Sequence, residues 1–381
     1  MNLLLVGGTG VLSSAVAETA LAKGDSVTVI NRGNRNAIPG CEAIVSDRHD
    51  YDKIENGLVN RHFDVAIDFL VFNREDSIRS FEFYSKRCNQ YVLVSSCFVY
   101  DFSKGRFVHE GSPRGLSCWK YSSGKCEAED ALVRAAARSG CGYTIVRPFV
   151  TYGNTRIPYS LAPAHGFDWT MVFRALAGKP LLAWNGGRGR CNITRVEDFC
   201  TGLFGLLLNE RAYGESVNVC GDEAPRWIDV VAALEETSGT TIPLLDLPKE
   251  FIQEHYPERK EEIDGRSFDV FASNEKLKSL VPSFRSTIPL RDGIAKTVSA
   301  YRANNFQQGV DWGYDAKCDE VVNAWHAMNR IGKKYGFVNY PRRRAMNHYL
   351  RYINASSNSD LGFRLFRKCL NAGMRFAGGL R

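Results

Sequence analysis

The sequence predicts an α/β fold built on a doubly wound sheet of parallel strands. Three observations carry this prediction: near-continuous apolar runs typical of strands buried on both faces, helix-length segments between those runs, and a glycine-rich turn directly after the first run. The predicted strands cover residues 3–6, 26–30, 43–45, 65–70, 91–95, 142–148 and 216–219.

The segments between the strands have helical composition. Residues 14–22 are rich in alanine, and Gly24 supplies a left-handed stop. Residues 125–139 and 228–237 also predict helices, so the chain alternates strand and helix as a doubly wound sheet requires.

Changes in composition along the chain predict its domain boundaries. From about residue 155 the sequence is interrupted by proline and glycine and rich in aromatic residues, and beyond residue 301 it becomes helix-like and then basic. We expect a first domain over residues 1–155, which later elements near 190–225 join. A smaller lobe over 156–300 and a helical basic extension over 301–381 follow.

Composition excludes several classes of protein. The chain has 381 residues, 44% of them hydrophobic, and no apolar run long enough to cross a bilayer. Its first residues lack the basic region of a signal peptide and run into a glycine turn, so we expect a strand there and a cytoplasmic protein. The 11 cysteines form no metal-ligand pattern, which predicts reduced thiols and no metal site.

The net charge of +7 is unevenly distributed. Residues 331–381 carry eleven Lys or Arg against one acidic residue, which leaves residues 1–330 at −3. The basic character therefore belongs to the C-terminal tail.

The first strand leads into Gly7-Gly8-Thr9-Gly10, with Ser13 where a third glycine is typical. Glycines at this place let the backbone approach a pyrophosphate, which the free N–H groups at the start of the next helix can bind. The pattern therefore predicts a dinucleotide cradle. The cradle contacts would be Gly7, Gly8, Thr9, Gly10, Val11 and Leu12.

The end of the second strand bears on the choice of cofactor. Asn31 and Arg32 stand where NAD-preferring sites carry an acidic residue that binds the ribose 2′-hydroxyl. Arg32 and Arg35 can instead pair with a 2′-phosphate, which favours NADP while NAD stays open. We expect Asp47 to reach the adenine. The other predicted cofactor contacts are Phe69, Leu70, Tyr121, Lys125 and Pro148.

Tyr121 and Lys125 form the candidate proton-transfer pair. Four residues apart on a helix, their side chains share one face, and a nearby ammonium lowers the pKa of a tyrosine. The same spacing occurs by chance at Tyr100/Lys104 and Tyr256/Lys260. Only Tyr121/Lys125 lies at the start of a long helix, one strand after Ser96, whose hydroxyl can bind the same substrate oxygen.

Several motifs occur in one order: "GGTGVLS", "SSCFVY", "YSSGK", "RPFVTYG", "RVEDF" and "FDVFASNEKLKSL". Over residues 1–300 the sequence thereby resembles the extended short-chain dehydrogenase/reductases, specifically the NAD-dependent epimerase/dehydratase group that acts on nucleotide sugars. The resemblance implies a Rossmann core, a C-terminal sugar-binding lobe and bound NAD or NADP. It assigns the acid/base role to Tyr121, orientation of the nicotinamide ribose to Lys125, and the reacting oxygen to Ser96. We also expect a homodimer.

The sequence also departs from that family. Cys97-Phe98 stand where the 4,6-dehydratases carry an acidic pair, which argues against a dehydratase. Val150 replaces a frequent asparagine, and Cys191 replaces a phosphate-binding arginine, with Arg190 beside it. The predicted substrate contacts are Ser96, Cys97, Val150, Arg190 and Arg266.

Three functions remain as hypotheses. The first is an NAD(P)-dependent nucleotide-sugar epimerase, and the second is an NADPH-dependent ketoreductase of such sugars. The third is a non-catalytic relative that binds RNA, because Asn31-Arg32-Gly33 resembles the same segment of chloroplast RNA-associated proteins. The persistence of Ser96, Tyr121 and Lys125 favours an enzyme, with nucleic acid an unlikely partner.

The basic tail leaves its own alternatives open. Residues 311–328 predict an amphipathic helix that packs on the core, while 341–344 and 361–370 mix arginine with apolar residues. These segments suit an oligomer contact or a solvated helix, a contact with a membrane surface, or a nucleic-acid patch.

Overall fold

The computed structural model describes residues 1–33, 38–164, 169–303 and 310–332. Its centre is a sheet of seven parallel strands, which confirms the predicted α/β, Rossmann-like fold. The strands of the whole described structure, in chain order, are β1 (Asn2–Val6), β2 (Ser26–Asn31), β3 (Glu42–Val45), β4 (Phe63–Asp68), β5 (Cys88–Val94), β6 (Phe107–Val108), β7 (Gly142–Pro148), β8 (Val150–Tyr152), β9 (Leu181–Ala183), β10 (Ile193–Arg195), β11 (Glu215–Val219), β12 (Leu244–Asp246) and β13 (Phe271–Ala272).

The helices connect these strands and cover the sheet. They are α1 (Val11–Ala22), α2 (Tyr51–Leu58), α3 (Arg74–Tyr84), α4 (Lys120–Ala136), α5 (Trp169–Leu176), α6 (Val196–Leu206), α7 (Trp227–Ser238), α8 (Lys249–His255), α9 (Lys260–Gly265), α10 (Glu275–Leu280), α11 (Leu290–Ala303) and α12 (Trp312–Met328).

The strand order of the main sheet is β11-β7-β5-β4-β1-β2-β3. The chain winds outward from β1 in one direction through β2 and β3, then returns to β4 on the other side of β1. A parallel sheet of this order has a crevice at the carboxyl ends of β1 and β4, where its winding reverses. The remaining strands form three parallel pairs: β10-β8, β12-β9 and β13-β6.

Alternating side chains of β1 explain why its sequence is apolar throughout. Leu3 and Leu5 pack in one cluster with residues of α1 and α6, whereas Leu4 and Val6 pack on the opposite face with residues of α2, α3 and α4. All four are at most 1% exposed. A strand buried on both faces can carry no polar alternation, which is why the sequence identifies it so clearly.

The helix α12 of the C-terminal extension packs on the lobe through a buried ionic cluster. Arg174 of α5 contacts Asp315 at 2.6 Å and Asp319 at 3.0 Å, and Lys179 contacts Asp319 at 2.7 Å. Apolar residues of α12, among them Tyr314 and Cys318, join the same cluster as Leu161. This helix is therefore part of the packed structure.

Some predictions fall on other parts of the chain. Arg35 and the basic segments 341–344 and 361–370 lie outside the described residues. In the described ranges, no helix combines the length and the apolar character needed to span a bilayer.

Candidate functional site

A cavity of about 850 Å³ opens at the carboxyl ends of the central strands. The glycine turn after β1, the ends of β2, β4, β5 and β7, and the first turns of α4 all contribute to its wall. The predicted cofactor contacts that line it are Gly7, Thr9, Gly10, Val11, Leu12, Asn31, Arg32, Asp47, Phe69, Leu70, Tyr121, Lys125 and Pro148.

The glycine turn leaves no room for side chains. Gly7 has φ +92°, and a Cβ there would lie 2.5 Å from Leu70 Cγ. A Cβ on Gly8 would lie 2.1 Å from Val29 Cγ1, so Gly8 packs the turn against β2 and does not line the cavity. A turn without side chains at these two positions, directly before a helix, lets the backbone N–H groups approach a dinucleotide pyrophosphate.

Ser13 has a definite structural part in this turn. Its hydroxyl accepts a hydrogen bond from the backbone N–H of Gly10 at 2.8 Å, and the side chain is 1% exposed. The serine therefore caps the beginning of α1 from within, where a glycine could not.

The end of the cavity beside β2 and β3 is more charged than the sequence indicated. The side chain of Asn31 is folded back to accept the N–H of Gly33 at 2.7 Å, which leaves Arg32 exposed at the cavity edge. The pKa of Asp47 is lowered, first by the backbone N–H of His49 and also by the charge of Arg32.

Three residues that the sequence analysis did not select also line this end. They are Arg48, His49 and Asp76, and Arg48 pairs with Asp76 at 3.2 Å. Arg48 and His49 follow β3, and Asp76 lies in the first turn of α3. Their charge next to a strand end or a helix start was the sequence signal that could have identified them.

At another part of the cavity, Ser96 and Tyr121 lie next to each other. Ser96 follows β5, is 5% exposed, and accepts the backbone N–H of Phe98 at 3.1 Å. Tyr121 lies in the first turn of α4 because this helix begins at Lys120, five residues before the predicted start. Burial raises the pKa of Tyr121, while a hydrogen bond with Ser96 and the charges of Arg156 and Arg266 act to lower it.

Lys125 is oriented differently from the sequence-based expectation. Its Nζ donates to the carbonyl oxygens of Val71 at 2.7 Å and Val94 at 3.0 Å, and lies 4.6 Å from the ring centroid of Phe72. Burial lowers its pKa to about 8. The expectation that this ammonium depresses the pKa of Tyr121 is not met, because the pKa of Tyr121 is raised and the opposing charges are those of the two arginines.

These arginines form a cationic wall beside Tyr121. Arg266 donates to the carbonyl oxygen of Tyr159 at 2.8 Å and pairs with Glu262 at 3.2 Å, while its buried Nε has no hydrogen-bond partner among the described residues. Glu262 also pairs with Arg259. Arg156 forms no hydrogen bond or ion pair through its guanidinium in the part of the chain that the structure describes.

Aromatic side chains form a further part of the cavity wall, the aromatic wall. Phe98 stacks on Phe149 with ring centroids 5.1 Å apart, and Trp119 lies 4.8 Å from Phe98 and 5.3 Å from Tyr121. All four line the cavity, as does Ser95, whose buried hydroxyl has no partner within the described ranges. Sequence reasoning missed Phe98, Trp119 and Phe149 as cavity residues, because apolar residues in loops give no signal of a cavity, and it missed Ser95, which stands next to the selected Ser96.

Two predicted substrate contacts do not reach the cavity. Cys97 is fully buried and turned inward, where its thiol donates to the carbonyl oxygen of Arg147 at 3.1 Å. Arg190 is exposed and bonds the carbonyl oxygen of Ala224. We therefore remove both from the candidate substrate contacts, whereas Val150 and Arg266 line the cavity as expected.

The two other Tyr-x-x-x-Lys pairs lie away from this cavity. Tyr100 is buried and donates to Asn218 at 2.6 Å, and Tyr256 packs in the cluster beneath α12. Neither tyrosine lines the cavity, and neither does its lysine. Position at the start of a long helix was therefore the informative criterion.

The chain is similar to proteins of known class. Residues 3–220 match the model of the NAD dependent epimerase/dehydratase family. A chloroplast stem-loop binding protein of 41 kDa from Arabidopsis thaliana is 24% identical over 332 residues, covering 82% of this chain and 83% of its own length. A UDP-N-acetyl-alpha-D-glucosaminuronate decarboxylase from Bacillus cytotoxicus is 22% identical, covering 78% of this chain and 97% of its own.

A solved structure agrees with the fold. UDP-glucuronic acid 4-epimerase from Bacillus cereus, solved in complex with NAD, superposes with a TM-score of 0.62 at 19% identity. The match covers 80% of this chain and 98% of that enzyme.

Proposed function

The chain belongs to the NAD-dependent epimerase/dehydratase family, and from this premise we propose that it is an NAD(P)-dependent epimerase of nucleotide sugars. One observation carries the proposal: Ser96, Tyr121 and Lys125 line the same cavity as the glycine turn, although they come from distant parts of the sequence. A purely structural set of polar residues has no reason to converge on a dinucleotide cradle.

Each of these residues has a role in the proposed reaction. NAD(P), when bound, supplies hydride transfer at its nicotinamide ring. Tyr121 exchanges a proton with the reacting sugar hydroxyl, and Ser96 holds that oxygen next to the phenol. Lys125 places a positive charge on the cavity floor, where it attracts the ribose hydroxyls of the dinucleotide.

The cationic and aromatic walls support a nucleotide sugar as substrate. Arg156 and Arg266 offer guanidinium groups to a diphosphate. The half-buried guanidinium of Arg156 has no ion-pair partner within the described ranges, so it is available to bind an anionic ligand. Phe98, Trp119 and Phe149 offer flat apolar surfaces on which a sugar or a base can pack.

The proposal is tested by incubating the full-length protein with a panel of UDP-, dTDP-, GDP- and CDP-sugars and following the products by chromatography. We expect conversion of one sugar to its epimer without net consumption of cofactor. The matched control is the Tyr121→Phe protein on the same panel. Absence of both dinucleotide binding and conversion across the panel would contradict the proposal.

A ketoreductase is the second candidate, and two observations favour it. The end of β2 carries Arg32 and no acidic residue, which suits NADPH. The raised pKa of Tyr121 also keeps its phenol protonated, as the proton donor in a ketone reduction must be. Stoichiometric loss of NADPH absorbance near 340 nm with a keto-sugar would identify this reaction.

The relative from Arabidopsis thaliana gives a third candidate, a protein that binds a stem-loop RNA. Gel-shift titration with a stem-loop RNA, and with an unpaired RNA of equal length as control, tests this function. Saturable binding of the stem-loop, unchanged in Tyr121→Phe and without turnover of any sugar, would favour this candidate over an epimerase.

A further inference from the structure

Asp68 is a buried carboxylate that the proposed reaction does not use. It ends β4 at the carboxyl edge of the sheet and is 1% exposed. A charged carboxyl group in such a position is costly unless other groups compensate for its loss of water. Its surroundings therefore indicate what it does.

Three donors surround this carboxylate. Its Oδ1 accepts the backbone N–H of Leu70 at 2.8 Å, and its Oδ2 accepts the hydroxyls of Tyr91 at 3.2 Å and of Ser80. No Lys or Arg of the described ranges forms an ion pair with it. The hydrogen bonds hold the carboxylate in place and leave its negative charge unneutralised at contact distance.

Lys125 is a buried cation that contacts the loop of residues 69–72, which directly follows Asp68. Asp68 fixes Leu70, and the next residue, Val71, presents the carbonyl oxygen that accepts Lys125 Nζ at 2.7 Å. Lys125 is 2% exposed, and its Nζ donates to two neutral carbonyl oxygens. A buried ammonium of this kind loses its proton easily unless a negative charge lies near.

The charges that face Lys125 come from three elements. Asp68 at the end of β4 and Glu129 on α4 raise its pKa, while Arg48 from the loop after β3 lowers it. Tyr121 lies on the same helix, with its ring centroid 5.9 Å from Nζ. Glu129 already forms ion pairs with Arg147 at 2.6 Å and with Arg114. Of the two carboxylates that face Lys125, Asp68 is therefore the one that forms no ion pair in the described ranges.

We propose that Asp68 is a positioning residue for Lys125: its hydrogen bond to the N–H of Leu70 holds the loop so that the Val71 carbonyl oxygen receives the ammonium, and its carboxylate charge is coupled to that ammonium. The charge acts across the loop of residues 69–72, of which Phe69, Leu70 and Phe72 line the cavity. The consequence for catalysis rests on the proposed function, whereas the coupling between the two charges does not.

A double-mutant cycle measures this coupling without any ligand. Urea unfolding of the full chain is compared for the wild type, Asp68→Asn, Lys125→Met and the double variant at pH 6.5 and pH 9.5. At pH 6.5 we expect Asp68→Asn to raise the unfolding constant about tenfold more in the wild-type background than in the Lys125→Met background, which lacks the ammonium. At pH 9.5 Lys125 is neutral, and we expect the difference to disappear.

Ser80→Ala is the matched control, because it removes a hydrogen bond of Asp68 and leaves the charge. It should destabilise both backgrounds equally at both pH values. If Asp68→Asn does not fold, Asp68→Ser enters the same cycle, since its hydroxyl can still accept the N–H of Leu70. Equal effects of the Asp68 variant in both backgrounds at pH 6.5 would overturn the proposal.

The catalytic consequence has a separate readout. Where the wild type turns over a nucleotide sugar, Asp68→Asn should lose activity at a pH about one unit lower than the wild type. A wild type without turnover contradicts the proposed function and leaves the result of the unfolding cycle intact.

Discussion

The ammonium nitrogen of Lys125 lies 2.7 Å from the carbonyl oxygen of Val71, 54 residues earlier in the chain. This contact fixes the lysine in the cavity lining, with its Nζ 5.9 Å from the ring centroid of Tyr121. The charges that act to lower the pKa of the Tyr121 phenol come instead from Arg156 and Arg266, which line the same cavity. In the proposed reaction the Tyr-x-x-x-Lys pair would therefore divide between two tasks, proton transfer at Tyr121 and a fixed positive charge at Lys125.

Replacing Tyr121 with Phe should lower kcat by about 10²- to 10⁴-fold, which is the range that a positioned acid/base contributes. The ring and its contact with Trp119 remain, so dinucleotide affinity should change little. Initial rates and fluorescence titration with NADH or NADPH measure the two quantities. Tyr256→Phe, which alters a tyrosine of the same motif outside the cavity, is the control and should retain full activity. Activity of Tyr121→Phe near that of the control would remove Tyr121 from the mechanism.

Lys125 predicts a specific dependence of stability on pH. Its folded pKa of about 8 lies below the ordinary value of 10.5, so between these values the unfolded chain binds more protons than the folded one. Stability should therefore rise with pH across this window, by about 3 kcal/mol in total from this residue. Urea unfolding from pH 7 to pH 10.5 measures the rise, and Lys125→Met should lack it. Parallel curves for the two proteins would contradict the assignment.

Ser13 predicts a stability effect confined to the cradle. Ser13→Ala leaves the Gly10 N–H without its 2.8 Å acceptor, which should lower the free energy of unfolding by about 1 kcal/mol. Ser14→Ala, at the next position of the same helix turn, is the matched control and should have a smaller effect. Thermal and urea unfolding compare the two variants. Equal stability of both would show that the internal cap contributes nothing.

Arg32 predicts the cofactor preference. Its exposed guanidinium lies at the cavity edge and acts on Asp47, so it is available to a ribose 2′-phosphate. Arg32→Ala should weaken NADP binding about tenfold, as expected for loss of one charge-assisted hydrogen bond, and leave NAD binding nearly unchanged. Calorimetric titration with both dinucleotides gives the ratio, with NAD as the internal control. An equal loss for both would exclude a 2′-phosphate contact.

Most of the sheet could be predicted because its central strands β1, β4 and β5 are buried on both faces. The predicted strand at 142–148 coincides with β7, and β4 and β5 differ from their predicted bounds by one to three residues. Ser96 and Tyr121 could be selected once the strands were placed, because a residue after a strand or at the start of the next helix lies beside the crevice of a parallel sheet.

The rest of the site depends on contacts between distant segments. Cys97, for example, is turned inward by the carbonyl oxygen of Arg147, 50 residues away. The orientation of Lys125 likewise follows from backbone oxygens of β5 and the loop after β4. No periodicity or motif encodes such contacts, which is why Arg156, the aromatic wall and Asp68 emerged only from the structure.

Arg156 offers the clearest test of the substrate side of the cavity. Its guanidinium has no ion-pair partner in the described part of the chain, so Arg156→Ala removes a ligand contact at little structural cost. We expect KM for a nucleotide sugar to rise about tenfold to a hundredfold, as for loss of a charge-assisted hydrogen bond, with a smaller effect on kcat. Arg190→Ala is the control, because that exposed arginine lies outside the cavity, and its KM should equal that of the wild type. Initial rates over a range of substrate concentrations measure both. Arg156, unlike Arg190, lies close enough to Tyr121 for its charge to act on the phenol. An unchanged KM in Arg156→Ala, or an equal rise in Arg190→Ala, would therefore show that the anionic part of the substrate binds elsewhere.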